Sequence, residues 1–261
     1  SSNLEQVFGT IDYPTEIQDK ENPVILKDVR GKVDFEDVTF CYEEDVDILK
    51  HFTLHVRPGE TIALVGPTGA GKTTVISMLT RFYDVKEGSV SIDDVDVRDA
   101  SLYSLRSEVG VLMQDPFILK GTILDNIRYG RWDATDEECR EAARMIFADK
   151  FIQRLKGGYE HMLEERGSGL SAGERQLISF ARIVLKNPSI VILDEATSAI
   201  DTETELLIQK ALEVMLKGKT AFIVAHRLST IRNADRILYI GNQGIAEEGT
   251  HEELMAKKGL Y

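Results

Sequence analysis

Basic residues are in short supply. Lys and Arg total 31 against 44 Asp and Glu, for a formal net charge of −13. A surface that grips nucleic acid needs the opposite balance, because Lys and Arg must displace counterions from phosphates. A general nucleic-acid partner is therefore excluded, and the acidity reads as a solubility device. One phosphate ligand in a local cradle is still allowed. Cysteine is scarcer: Cys41 and Cys139 stand far apart, in no metal-ligand spacing, which points to packing in a reducing compartment. No apolar run approaches the ~18 residues of a membrane span; Ala221-Phe222-Ile223-Val224-Ala225 is among the longest. No signal-peptide pattern, internal repeat or low-complexity tract is visible. The chain opens Ser1-Ser2-Asn3 without methionine and reads as a piece or processed form of something longer.

Apolar residues make up 43% of 261, enough for the core of one large α/β domain or a domain with an inserted subdomain. Residues 1–30 mix a short helical spacing (Leu4, Val7, Phe8, Ile11) with Pro14, Pro23 and charges, and read as a linker. Val33, Phe35, Val38, Phe40 and Tyr42 lie in a strand-rich stretch whose alternation slips once, between Phe35 and Val38. Phe52, Leu54 and Val56 alternate cleanly, as a half-buried strand does. Residues 116 to 187 read as helical, ending in a helix from Gly173 to Leu185 with Leu177, Phe180, Ala181 and Val184 on one side. Thr202–Glu205 and Thr250–Glu253 have capping-box spacing for two later helices.

Between the apolar run Thr61–Val65 and the helical pattern of Thr74–Leu79 lies Gly66-Pro67-Thr68-Gly69-Ala70-Gly71-Lys72-Thr73. This is the strand, glycine-rich loop and helix of a phosphate cradle, with G-x-x-x-x-G-K-[ST] spacing. Glycines bring backbone N–H groups close to a polyphosphate, and the helix start adds the positive end of its dipole. Lys72 supplies a compact charge for the β- and γ-phosphates, and Thr73 a hydroxyl for Mg2+.

Ligands of open α/β sheets sit at the carboxyl ends of strands. Four apolar runs here end in suitable groups: the phosphate loop, Gln114, Asp194-Glu195 and His226. Asp194 follows Ile190–Leu193, where a magnesium-holding carboxylate belongs, and Glu195 can aim at a water attacking the γ-phosphate. Position alone leaves Gln114 between a metal or water contact and a solvated loop residue. It leaves His226 between a γ-phosphate donor and a satisfied structural histidine.

The ordered set Gly66–Thr73, Gln114, Leu170-Ser171-Ala172-Gly173-Glu174, Asp194-Glu195, Ser198-Ala199-Ile200-Asp201 and His226 resembles the ATP-binding domain of an ABC transporter, over about residues 31–261. Gly121–Ile127, Asp194–Asp201, His226–Ile231 and Gly249–Leu254 resemble the exporter branch. The resemblance implies an α/β phosphate-loop ATPase with an antiparallel β portion and a helical subdomain at about 116–187. It implies ATP and Mg2+ as ligands and ATP hydrolysis that drives transport. Two such domains would close head to tail, as a homodimer or heterodimer, on a transmembrane domain at the cytoplasmic face of the cell membrane. Tyr42 would stack on adenine; Gly66, Thr68, Gly69, Ala70, Gly71, Lys72, Thr73 and Thr74 would hold phosphate and magnesium. Gln114 would sense the γ-phosphate, Asp194 hold the metal, Glu195 act as general base and His226 as the switch histidine. Ser171 and Gly173 would contact ATP bound to the opposite domain, Asp201 would lie across the dimer interface, and Glu165-Arg166-Gly167 would report to the membrane helices.

The family signature usually reads Leu-Ser-Gly-Gly-Gln. Here Ala172 adds a methyl, and Glu174 puts a negative charge where an amide stands. The departure fits either harmless variation or one half of a two-subunit exporter with a weakened site. A mechanical clamp of the same superfamily is the alternative reading, and the single uninterrupted copy argues against it. A non-hydrolysing regulatory module is opposed by the intact Glu195 and His226.

Overall fold

The computed structural model describes residues 17–67, 69–167, 169–195 and 200–261, without the side chain of Arg166. Thr68, residues 1–16 of the expected linker and Ala196–Ala199 lie outside the described residues. The described chain forms two compact units.

In the first unit the alternation slip has a concrete form. Strand Val33–Glu43 pairs antiparallel with Val46–Val56, and the pairing shifts between Phe35 and Val38, a β-bulge. Asp37 takes a left-handed φ of +47° there. The extra residue turns Val38 and Phe40 to the same face as Val33 and Phe35, and all four are buried. Strand Glu87–Ile92 pairs on the other side of Val33–Glu43, antiparallel. Phe35 carries this sheet onto the rest of the unit. Its ring meets Phe52 at 5.4 Å and Phe222 at 6.4 Å, both edge to face.

Phe222 belongs to a second sheet, in the spatial order Gly244–Gly249, Arg236–Gly241, Thr61–Val65, Thr220–Val224, Ile190–Asp194. The last four strands run parallel. Ile190–Leu193 and Thr220–Val224 are wholly buried, as expected of strands covered on both faces. Helix Lys72–Leu79 follows Thr61–Val65, and its side chains from Thr74 to Leu79 are buried. Residues 19–31 lie against this unit. Val24 donates its N–H to the Asp99 carbonyl at 2.8 Å and accepts from the Ser101 N–H at 2.7 Å. Among the described residues no helix is long and apolar enough to cross a membrane.

The second unit spans residues 110–188 and 200–217. Its axis is helix Ala172–Lys186, which packs against Ile123–Arg128, Asp136–Met145 and Thr202–Leu216. The expected single apolar side is too narrow for so many neighbours. Gln176, Ser179, Arg182 and Ile183 are buried as well, and Val184 is only half-buried. The 116–187 stretch is also not all helix, since Gly121–Thr122 and Met162–Leu163 form a small antiparallel ladder. Helix starts are capped by Thr122 with Asp125, Thr135 with Glu138, and Ser171 with Glu174. The expected Thr202–Glu205 box does not form. Asp201 is the N-cap instead, accepting the Thr204 N–H at 3.0 Å, because a short Asp one residue earlier caps better than Thr.

Arg182 is a buried cation of this unit. Its guanidinium donates to the Asn126 carbonyl at 2.6 Å, to Asn126 Oδ1 at 2.9 Å and to the Phe117 carbonyl, and lies 5.3 Å over the Tyr129 ring. Burial lowers its pKa to about 10, which leaves it charged near neutral pH.

Arg182→Ala should strand the Asn126 and Phe117 carbonyls and destabilise the chain by about 2–4 kcal/mol, read from the denaturant midpoint. Arg182→Lys should recover only part, since an ammonium cannot reproduce the fork. Glu138 generates a pH expectation. Its bond from the Thr135 N–H, then the Arg131 pair, lower its pKa from 4.5 to about 2 in the folded state. The advantage of wild type over Glu138→Ala should be complete above pH 4.5 and vanish as pH falls through about 2, in parallel acid-unfolding curves.

Candidate active site

The phosphate loop begins where Thr61–Val65 ends. Gly66, Gly69 and Gly71 hold φ of +138°, +81° and +107°, a region that side chains disfavour. At Gly66 space decides as well, since a Cβ would stand 2.3 Å from the Ile240 carbonyl oxygen. Gly71 is the N-cap of helix Lys72–Leu79 and offers no side-chain cap, and the first turn contains no acid. The N–H groups and positive dipole end at this terminus are thus uncompensated by side chains, the condition an anion needs. Lys72 reaches back across the loop and donates to the Gly66 carbonyl at 2.6 Å. Burial lowers its pKa, and the Asp194 carboxylate pulls the other way.

Tyr42, Thr74 and Tyr83 form one cluster beside this helix. The Tyr42 and Thr74 hydroxyls are 3.0 Å apart, and Tyr42 meets Tyr83 edge to face at 5.0 Å. Thr74 is buried by this contact, whereas Thr73 is exposed. Tyr42 keeps 48% of its surface exposed.

Asp194, Glu195 and His226 reach the same place through strand pairing. Val224 is in register with Leu64 on one side and Asp194 on the other. The chain continues as Gly66, Glu195 and His226 at adjacent carboxyl ends. The Glu195 N–H donates to the Val224 carbonyl at 3.0 Å, and the Ala225 N–H to Leu64 at 3.1 Å. His226 Nε2 stands 3.9 Å from Asp194 Oδ1. The Glu195 side chain is 2% exposed. Its Oε1 accepts the His226 N–H at 2.9 Å and the Arg227 N–H at 2.6 Å, and its Oε2 accepts the Thr230 hydroxyl.

Gln114 and the signature belong to the second unit. Gln114 is half-buried, two residues past strand Val109–Leu112. Ser171 is exposed at the start of helix Ala172–Lys186. Its Oγ accepts the Glu174 N–H at 3.1 Å, while Glu174 Oε1 accepts the Ser171 N–H at 2.8 Å. The Ser171 hydroxyl proton is not used in that box. Gly173 has a local reason to be glycine, because a Cβ would stand 2.2 Å from Thr204 Cγ2. Hydrogen bonds from Thr204 hold the Asp201 carboxyl below its ordinary pKa. Glu165–Gly167 is a single 3₁₀ turn.

Two residues were missed by sequence reasoning. Arg182 holds the Phe117 carbonyl, three residues past Gln114; an Arg amid the apolar pattern of Leu177–Leu185 was the available signal. Thr230 holds Glu195, and no spacing rule marks a mid-helix Thr as the partner of a distant carboxylate. Among the described residues, no group of three or more His, Cys, Asp or Glu could hold a metal.

The family described as ABC transporter matches residues 49–198. The "Uncharacterized ABC transporter ATP-binding protein YknV" of Bacillus subtilis is 49% identical over all of this chain, which covers 43% of it. The "Fatty acid ABC transporter ATP-binding/permease protein" of Mycobacterium tuberculosis is 45% identical over all of this chain and 41% of its own length. A solved structure, "Structure of a bacterial Atm1-family ABC exporter with ATP bound", has a TM-score of 0.87 at 39% identity, covering 100% of this chain and 45% of that one. The chain thus spans less than half the length of these relatives. With the phosphate loop, Asp194-Glu195 and His226 gathered at adjacent strand ends, the chain belongs to the ABC transporter family as an exporter-type ATP-binding domain, an ATPase.

Proposed function

We propose that this domain hydrolyses ATP at an interface with a second ATP-binding domain, and that closure and hydrolysis drive a transmembrane domain of the same transporter. The observation that carries this reading is the register of Leu64, Val224 and Asp194, which aligns cradle, acid, base and histidine. The loop Gly66–Thr73, with Lys72, would bind the β- and γ-phosphates, and Tyr42 would stack on the adenine. Thr73 and Asp194 would hold Mg2+, whose chemistry is to neutralise charge on the phosphate oxygens. Glu195 takes the proton of the attacking water, and His226 donates to the γ-phosphate. Ser171, with its spare hydroxyl proton, and the helix start at Gly173 complete the site of the opposite domain. Phosphoryl transfer leaves little covalent work to a protein, so positioning and preorganised charge supply most of the rate.

Residues 1–30 would link to the transmembrane domain, which would choose the cargo, at the cytoplasmic face of the membrane. One observation favours a heterodimer as second reading. Glu174 sits in the first turn of the signature helix, so its charge opposes the dipole end offered to the partner's γ-phosphate.

Lys72→Ala should weaken Mg-ATP binding about ten- to a hundredfold, the loss of a charge-assisted bond, by titration calorimetry. Glu195→Gln should bind Mg-ATP, lose hydrolysis and form an ATP-dependent dimer in light scattering. A persistent monomer with bound ATP would count against self-pairing. One occluded nucleotide per dimer would favour the heterodimer reading, and two would remove it.

A further inference from the structure

The cradle around Glu195 does something that a general base in action cannot use. Oε1 accepts two backbone N–H groups, and Oε2 accepts the Thr230 hydroxyl. Glu195 is 2% exposed, so its carboxylate is closed off from bulk solvent. All three donors belong to one short segment, His226 through Thr230, which starts at the switch histidine and enters helix Leu228–Asn233. Holding the base and presenting the histidine are therefore tasks of one piece of chain.

We infer that Thr230 is a positioning residue that stores the Glu195 carboxylate in a non-hydrolysing pose, and that movement of the His226 segment releases it. The inference rests on the reading of Glu195 as the base. Thr230 is suited to the task by its place. It is 4% exposed, so its hydroxyl does not exchange Glu195 for solvent. A Thr hydroxyl in the first turn of a helix also has a fallback acceptor, the carbonyl three residues back, here that of the N-cap Arg227. Release then leaves the hydroxyl satisfied. Only proline could delete either backbone donor, and it would also lock the backbone there, which makes Thr230 the part of the store that mutation tests cleanly.

The experiment compares steady-state Mg-ATP hydrolysis by the wild-type chain, Thr230→Val, Thr230→Ala and Thr230→Ser, with thermal melts to confirm folding. Loss of one hydrogen bond to a charged acceptor should raise kcat about three- to tenfold in the Val and Ala variants, with KM for ATP within about twofold of wild type. Thr230→Ser restores the hydroxyl and should return kcat to the wild-type value. Adding Glu195→Gln to Thr230→Val should abolish the gain. A kcat that falls or stays level in both folded Val and Ala variants overturns the inference, as does a gain that Ser does not reverse. Hydrolysis that survives Glu195→Gln alone overturns instead the reading of Glu195 beneath it.

Discussion

Parallel pairing of three buried strands is the constraint on which the first unit depends. Thr61–Val65, Thr220–Val224 and Ile190–Asp194 exchange backbone hydrogen bonds in a fixed register, and apolar side chains cover both faces. A slip of one residue would turn every side chain to the opposite face, so burial enforces the register. Once it is set, Gly66, Glu195 and His226 have no freedom in where they emerge. The antiparallel sheet is tied to this frame through Phe35 on Phe222, and truncating a buried Phe of this kind to Ala costs about 3–5 kcal/mol. Tyr42 extends from that sheet to Thr74 on the phosphate-loop helix.

Two helix starts show how charge is divided. Helix Lys72–Leu79 begins at a left-handed glycine, without a capping side chain or an acid, and leaves its positive end for an anion. Helix Ala172–Lys186 begins with a complete Ser171–Glu174 box, stabilised locally and less positive. With glycine at its N-cap the first gives up only about a few tenths of a kcal/mol of capping energy, and the second keeps its side-chain cap.

Buried polar groups organise both units. Arg182 ties helix Ala172–Lys186 to the Phe117 and Asn126 carbonyls, and Glu195 ties the end of one central strand to the start of helix Leu228–Asn233. Each joins elements distant in sequence: Arg182 and Phe117 are 65 residues apart, Glu195 and Thr230 are 35. Such pairs carry a penalty when broken that exceeds their net gain when made, so they specify an arrangement more than they stabilise it.

The phosphate loop, the bulge between Phe35 and Val38, the central strands and the Thr250–Glu253 cap were legible because each is a local pattern. Glycine at a left-handed turn, alternation, a short apolar run and a capping spacing act over a few residues, whereas the ABC transporter resemblance rested on the ordered motifs Gly66–Thr73, Gln114, Leu170–Glu174, Asp194-Glu195, Ser198–Asp201 and His226. The helix Thr202–Leu216 start was misread by one residue, because two caps competed locally and the better acceptor, Asp201, prevailed. What only the tertiary structure decided is which polar groups meet after folding. Glu195 was recognisable as a carboxylate beside Asp194, yet its burial under His226, Arg227 and Thr230 depends on strand register and a turn 31 residues away. Local sequence encodes backbone preference and side-chain chemistry; long-range contact is set by packing, which no spacing rule contains.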